Sequence, residues 1–382
     1  MKRVFFLRFF VVAIAVWCTP SFAVQTVVGS GTLNTTGESE GVTMQNAVTI
    51  GTLTVGTQDI FTGNKASDGI ATNKLFSAVS ADGDSRSDIT FNGSSTVYGY
   101  IGGGNVLRNL VATDSATKVN FLGLVNATTL NVGTGTVYFK NGASNSTAMN
   151  FTADGMISLA PNTTVIGALT TYKAEKGTLE LGSGSILDGA VGGATGLKVI
   201  NVVGGDNIAG VIARITGAVD TYSISLGTNT LNIGPVGGAA TGALTIHDAG
   251  VIDTTLASSS VYGHIVPQGA LTTGSTLSIN VTVPSTAYIP VGTKFNIVDG
   301  TSGAGGSVVT ATVVVPTNPL YKFSADPVAA TAADGKVTIK TDTIPMQVSP
   351  NPVVPVLVDI DPVLNPDLAN NILAPLNALS DP

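Results

Sequence analysis

The sequence predicts an all-β chain: a right-handed parallel β-helix, or β-solenoid, closed by a C-terminal antiparallel β cap and followed by a Pro-rich tail. Three observations carry that expectation. Charged residues make up only 11% of the 382 residues while Gly alone accounts for 46; this is too apolar for a disordered chain and too poor in Glu, Lys and Arg for ordinary helices. Short segments with period-2 alternation recur between Gly, Asn, Asp and Ser, as strands with one buried face do. They come too often for βαβ units, and their likeness to one another points to stacked repeats. A sandwich or closed barrel is the competing all-β arrangement.

Residues 1–23 read as a targeting segment. Lys2, Arg3 and Arg8 supply a positive start, Phe9 to Trp17 an apolar run, and Ser21-Phe22-Ala23 a small-x-small cleavage signal before Val24. A mature chain that begins near Val24 and leaves the cytoplasm is expected. A membrane span is the alternative, but the run falls short of the ~20 residues a spanning helix needs. Cys18, the only cysteine, lies inside this segment, and Trp17 before it is not the small residue of a lipoprotein anchor. The mature chain is therefore expected to have no disulfide or cysteine–metal chemistry. Removing Lys2, Arg3 and Arg8 moves the formal charge from -7 to -10, 14 basic against 24 acidic residues. Nucleic acid needs a basic footprint and is not expected as a partner.

Residues 24–269 hold the predicted solenoid. Its segments include TLTVG (52–56), ITFNG (89–93), TLNVGTGTVYF (129–139), MNFTADGMISL (149–159), TLELGSGSIL (178–187), TYSISLGTNTLNIG (221–234) and ALTIHDAGVI (243–252). Alternation puts Tyr222, Ile224 and Leu226 on one face, and Leu231 and Ile233 on one face after the turn at Gly227. An apolar-x-Phe-x-Asn-Gly pattern places Phe91, Phe121, Phe139 and Phe151 at separations of 30, 18 and 12 residues. Stacked layers explain the composition, since neighbouring layers complete each other's backbone hydrogen bonds and Gly and Asn tolerate tight corners.

Residues 270–343 change texture, with longer alternating strands, hairpin signals and the β-branched VTATVVV run. They are predicted to form the antiparallel cap, because an open end would expose unpaired backbone groups. Residues 344–382 hold eight of the 17 prolines and read as an extended linker. It ends in a short helix capped by Asn365, with Pro366 at its first position, Leu368, Ile372 and Leu376 at helical spacing, and Pro375 as a break.

Catalytic patterns are not found: no Gly-x-Ser-x-Gly elbow, phosphate loop or His-Glu-x-x-His helix occurs. Glycine pairs such as Gly204-Gly205 read as turns, because no helix follows to hold a phosphate. Of the two histidines, His247 should face solvent if Ile246 faces inward, and His264 has no readable face. Asp82, Asp84 and Asp88 in ADGDSRSD are the calcium candidate, with oxygen ligands at alternate positions of a turn. The twelfth position would be Gly93, which cannot supply a closing carboxylate, so a solvated loop is the competing reading. No catalytic residue, cofactor or further metal site is expected.

Two stretches, ITFNGSSTVYGYIGGGNVLRNL (89–110) and VNFLGLVNATTLNVGTGTVYFKNG (119–142), resemble passenger repeats of rickettsial-type outer-membrane autotransporters, the surface antigens that include outer membrane protein B. GTKFNIVDGTSG (292–303) and NPLYKF (318–323) are similar to the terminal region of such passengers, and LANNILAPLNALSD (368–381) to the segment before their translocating barrel. The resemblance covers residues 45–382. It implies an exported, surface-exposed passenger with a β-helical stalk, non-catalytic, serving as a structural surface protein or adhesin. Implied partners are a host-cell or matrix surface, neighbouring surface proteins, and an outer-membrane barrel that is missing from this chain or supplied separately. The family's barrel strands with a terminal aromatic do not appear before Pro382. An enzyme acting on surface polysaccharide from a β-helix, or a truncated remnant without selected function, are the alternatives.

Overall fold

Segments that alternate apolar and polar residues must each hide one face, and this chain hides them by laying strands parallel, one against another from an earlier stretch. The computed structural model describes residues 106–342, with gaps at 115–117, 141–142, 205–209, 237–241, 301–310, 315–320 and 326–335, together with strands between Thr32 and Ile101. The targeting segment and the tail with its Asn365 helix lie outside the described residues. Among the described residues the chain is all-β, without a helix, and 28 strands belong to one mostly parallel sheet. This arrangement is compatible with a parallel β-helix.

Three ladders organise the described strands. In the first, Leu110, Leu130, Met149, Leu169, Val191, Val219, Leu244 and Leu271 follow one another in register. In the second, Val119, Val137, Ile157, Leu179, Ile200, Ile224, Ile252 and Ile279 do so, every one of them fully buried. The third aligns Val165, Leu187, Ile215 and Ile233. The inward columns merge into one apolar core. Each buried aliphatic side chain contributes about 1.5–3 kcal/mol against exposure, so the columns are the main source of stability.

Register partners lie 18 residues apart at Phe121 and Phe139 and 28 apart at Val191 and Val219. The extra residues emerge at the corners between ladders, even where one strand runs on through the corner with a slip in register. The phenylalanine pattern divides accordingly. Phe121 and Phe139 are true partners, their rings 5.5 Å apart, while Phe91 and Phe151 stand on the first ladder and Phe91 meets Phe121 edge-on at 5.8 Å. Only the 18-residue spacing is one step of the stack.

A corner signature becomes visible only with the register in hand. Gly-Ala followed by Leu or Val recurs at 167–169, 189–191, 217–219, 242–244 and 269–271. The Gly217 N–H donates to the Gly189 carbonyl at 3.0 Å and Gly269 to Gly242 at 2.9 Å. A Cβ on Gly189 would lie 2.1 Å from the Gly167 carbonyl oxygen, and one on Gly217 would lie 2.6 Å from the Gly189 carbonyl carbon. The obstructing atoms are backbone, so no side chain can be fitted without moving the corner.

The expected boundary at residue 270 does not coincide with the change in pairing. Leu271–Thr273, Leu277–Thr282 and Thr312–Val314 still pair parallel to what precedes them. Antiparallel pairing starts at Lys294–Asp299, which pairs with Lys336–Thr341, itself antiparallel to Phe323–Ala325. Aromatic rings gather there: Tyr262 and Phe323 lie 5.1 and 6.4 Å from Phe295. Tyr321 donates its hydroxyl proton to the Ala287 carbonyl and accepts from the Ile289 N–H.

Gly189→Ala is expected to cost about 1–3 kcal/mol by overpacking, whereas Ser225→Ala on the outward face of the second ladder should change stability by less than about 0.5 kcal/mol. Urea unfolding of the two variants checks the contrast.

Candidate functional site

The corner from the first ladder to the second is built differently, and there the polar chemistry collects. Strand Val219–Gly227 runs through it without stopping, its register slipping between Thr221 and Ser223. Thr221 takes the inward position, fully buried, with its hydroxyl 3.1 Å from both the Leu197 and Ser223 carbonyls. Tyr222 is thereby thrown outward, away from the face of Ile224 and Leu226 on which strict alternation puts it. Thr171 serves a corresponding bend, donating to the Lys173 carbonyl at 2.9 Å. Of three non-glycine residues in the left-handed region among the described residues, Glu175 (φ 58°) and Ala249 (φ 58°) sit on this edge.

Backbone amides at such a bend point away from the ladder and need other acceptors. Corner aspartates supply them. Asp114 accepts from the Thr134 N–H at 3.0 Å, Asp154 from the Gly177 N–H at 3.1 Å, and Asp248 from the Ser275 N–H. Each carboxylate thus clips its own layer to the next. Asp154 also receives Lys198 at 2.9 Å and Lys176 at 3.8 Å. Burial pulls the Asp154 carboxyl upward, but the Lys198 hydrogen bond, the Gly177 amide and the two ammonium charges outweigh it and hold the group below its ordinary range. The Ser275 hydrogen bonds likewise lower Asp248.

The densest part of the edge joins Asp220, Tyr222 and His247. The His247 ring stacks on Tyr222, centroids 4.6 Å apart and planes 16° off parallel, and its Nε2 faces Asp220 Oδ1. Gly196 lies against this pair: its φ is +71°, and a Cβ there would be 2.6 Å from the imidazole. Burial raises the Asp220 carboxyl even though His247 pulls it down. Burial and the charges of Glu175, Asp220 and Asp248 together raise Tyr222. His247 does turn outward from buried Ile246, as alternation requires, but it lies along the surface as a clasp between layers rather than standing in solvent.

His264 stands in register with Thr230, its Nδ1 3.5 Å from the Thr230 hydroxyl and 3.3 Å from the Tyr262 carbonyl. Of the calcium candidates, Asp82 and Asp84 lie outside the described residues, and Asp88 opens strand Asp88–Phe91 between register partners Thr52 and Asn109. Among the described residues no group of three or more His, Cys, Asp or Glu is placed to hold a metal ion.

A scan against models of known protein families finds no match, and a search of curated proteins finds none.

Asp154→Asn removes a carboxyl whose folded value is depressed, so the lost stability is present above the unfolded value of 3.8 and disappears as pH falls through the folded one. The variant should be weaker than the parent by about 0.5–1 kcal/mol at neutral pH, reduced for solvent screening, and the difference should be smaller at about pH 3. Urea unfolding at both pH values reads the difference. His247→Ala leaves the half-buried Asp220 carboxylate without its partner and should cost about 1–3 kcal/mol near neutral pH; the double variant with Asp220→Asn should recover part of that loss.

Proposed function

We propose that this chain is the passenger of an autotransporter-like surface protein: an exported, right-handed β-solenoid, ended by the antiparallel strands as a cap, that acts as a non-catalytic structural stalk or adhesin. One observation carries the reading. The parallel ladders continue layer upon layer, so added sequence lengthens the stack while its polar side chains are presented in repeating columns and along an edge. Contacts then come from a repeated shallow surface, which suits adhesion to a host-cell or matrix surface or to neighbouring surface proteins. The alternation, the N-terminal targeting pattern and the resemblance to rickettsial-type passengers all support this reading. An outer-membrane barrel, in the same polypeptide or another, is the implied anchor.

In fractionated cells the protein should be recovered at the surface or in the medium, cleaved ahead of Val24 and accessible to added protease. Recovery in the cytoplasm with its first 23 residues intact overturns the proposal. Replacing residues 82–87, between strands Ser77–Ala81 and Asp88–Phe91, with a glycine–serine segment of equal length should alter adherence to cells or matrix while leaving the β-type circular dichroism spectrum unchanged.

A further inference from the structure

We propose that Lys118, Tyr138 and Lys140 form a shallow binding site for an acidic polysaccharide on the outer face of the second ladder. The inference rests on the adhesive reading and gives it a ligand class. Strands Lys118–Phe121 and Thr136–Phe139 pair in register, with Lys118 beside Thr136 and Asn120 beside Tyr138. Val119, Phe121, Val137 and Phe139 turn inward, none more than 2% exposed. Lys118, Asn120, Tyr138 and Lys140 consequently face out. Both ammonium groups come to the same ring, Lys118 Nζ at 6.0 Å and Lys140 Nζ at 5.4 Å from its centroid. One lysine arrives from the neighbouring strand and the other from just past the end of the tyrosine's own strand. Two positive charges therefore flank one aromatic surface.

That combination matches a sugar ring bearing a carboxylate or sulfate. The ring's C–H face stacks on the aromatic side chain, and the acidic substituent meets an ammonium that carries three donors on a flexible stem. Attraction to the tyrosine already holds the lysines near it, so less freedom is lost on binding. The platform cannot sink, because the Phe121 and Phe139 rings pack against each other, centroids 5.5 Å apart and planes tilted by 33°, on the buried side of the same strands. The chain as a whole carries a formal charge of -7, so the attraction is local; it is screened within about 10 Å at 0.1 M salt. Nucleic acid, which needs a broad basic surface, fits this site less well than a polymer with spaced charges.

The test measures retention of the full chain on immobilised heparin and polygalacturonate, with dextran as the uncharged control, at about 50 mM and about 300 mM salt. The wild type should bind the two acidic polymers and not dextran, and should lose binding at the higher salt. The double variant K118Q/K140Q should bind about tenfold more weakly. Tyr138→Ser should weaken binding several-fold and Tyr138→Trp should preserve it, all with unchanged thermal midpoints. The site is overturned if the wild type binds neither acidic polymer, if K118Q/K140Q binds as the wild type does, or if anionic phospholipid vesicles are preferred to both polymers. Such a result with adherence to cells intact removes this site and leaves the adhesive reading standing; a wild type that adheres to no cell or matrix surface overturns that reading itself.

Discussion

The hydrogen bond from a strand's backbone to the strand one layer away governs the described part of this molecule. Because it is made by atoms that every residue shares, it can form in any register, and the alternation of buried and exposed side chains selects the one adopted. A side chain's surroundings are then set by its column. Ile200 meets Leu179 on one side and Ile224 on the other, and all three are fully buried. The same bond explains the two kinds of corner. Where Gly217 keeps it, donating to Gly189, the backbones approach so closely that no side chain fits. Where the chain turns away from it, Asp114, Asp154 and Asp248 accept the stranded amides instead.

Electrostatics follows from that division. A chain that is only 11% charged cannot spread ionic groups evenly, and the bend between the first two ladders gathers Asp154, Lys176, Lys198, Asp220 and Asp248 with His247. Lys198 reaches Asp154 across 44 residues of sequence. Desolvation raises Asp220 while the Ser275 hydrogen bonds lower Asp248, so of two aspartates on one edge one takes up its proton above the ordinary carboxylate value and the other below it. The edge is at once the means by which layers are clipped and the part of the surface richest in recognisable chemistry.

Much of the architecture was legible in the sequence because period-2 alternation reports one-sided burial directly. Leu231 and Ile233 fall on the buried face, as do Ile224 and Leu226. Tyr222 does not, because a continuous strand bends there and Thr221 takes the inward place, its hydroxyl satisfied by carbonyls that only the fold brings near. The candidate edge was nearly invisible for a related reason: Asp220 and His247 lie on different layers, and the layer spacing is irregular, 18 residues from Phe121 to Phe139 but 34 from Thr230 to His264. A fixed-period search fails on such spacing. The five Gly-Ala-Leu/Val triplets were present in the sequence throughout, yet only register shows that they stack. Texture after residue 269 suggested antiparallel strands, but β-branched runs serve either direction equally, so the change at Lys294 could not be read from composition.

Variable spacing between fixed columns gives the fold something like a reading frame. Residues added between ladders are absorbed as longer connections, as the 28-residue step from Val191 to Val219 shows beside the 18-residue step from Phe121 to Phe139. One residue added inside a strand such as Leu197–Val202 would be a frameshift in the literal sense. Ile200 would exchange faces with Asn201 or Val199, and the strand's core set would turn to solvent at once. Sequence change in such a protein is therefore free to accumulate in length at the edges and nearly forbidden in parity within the strands.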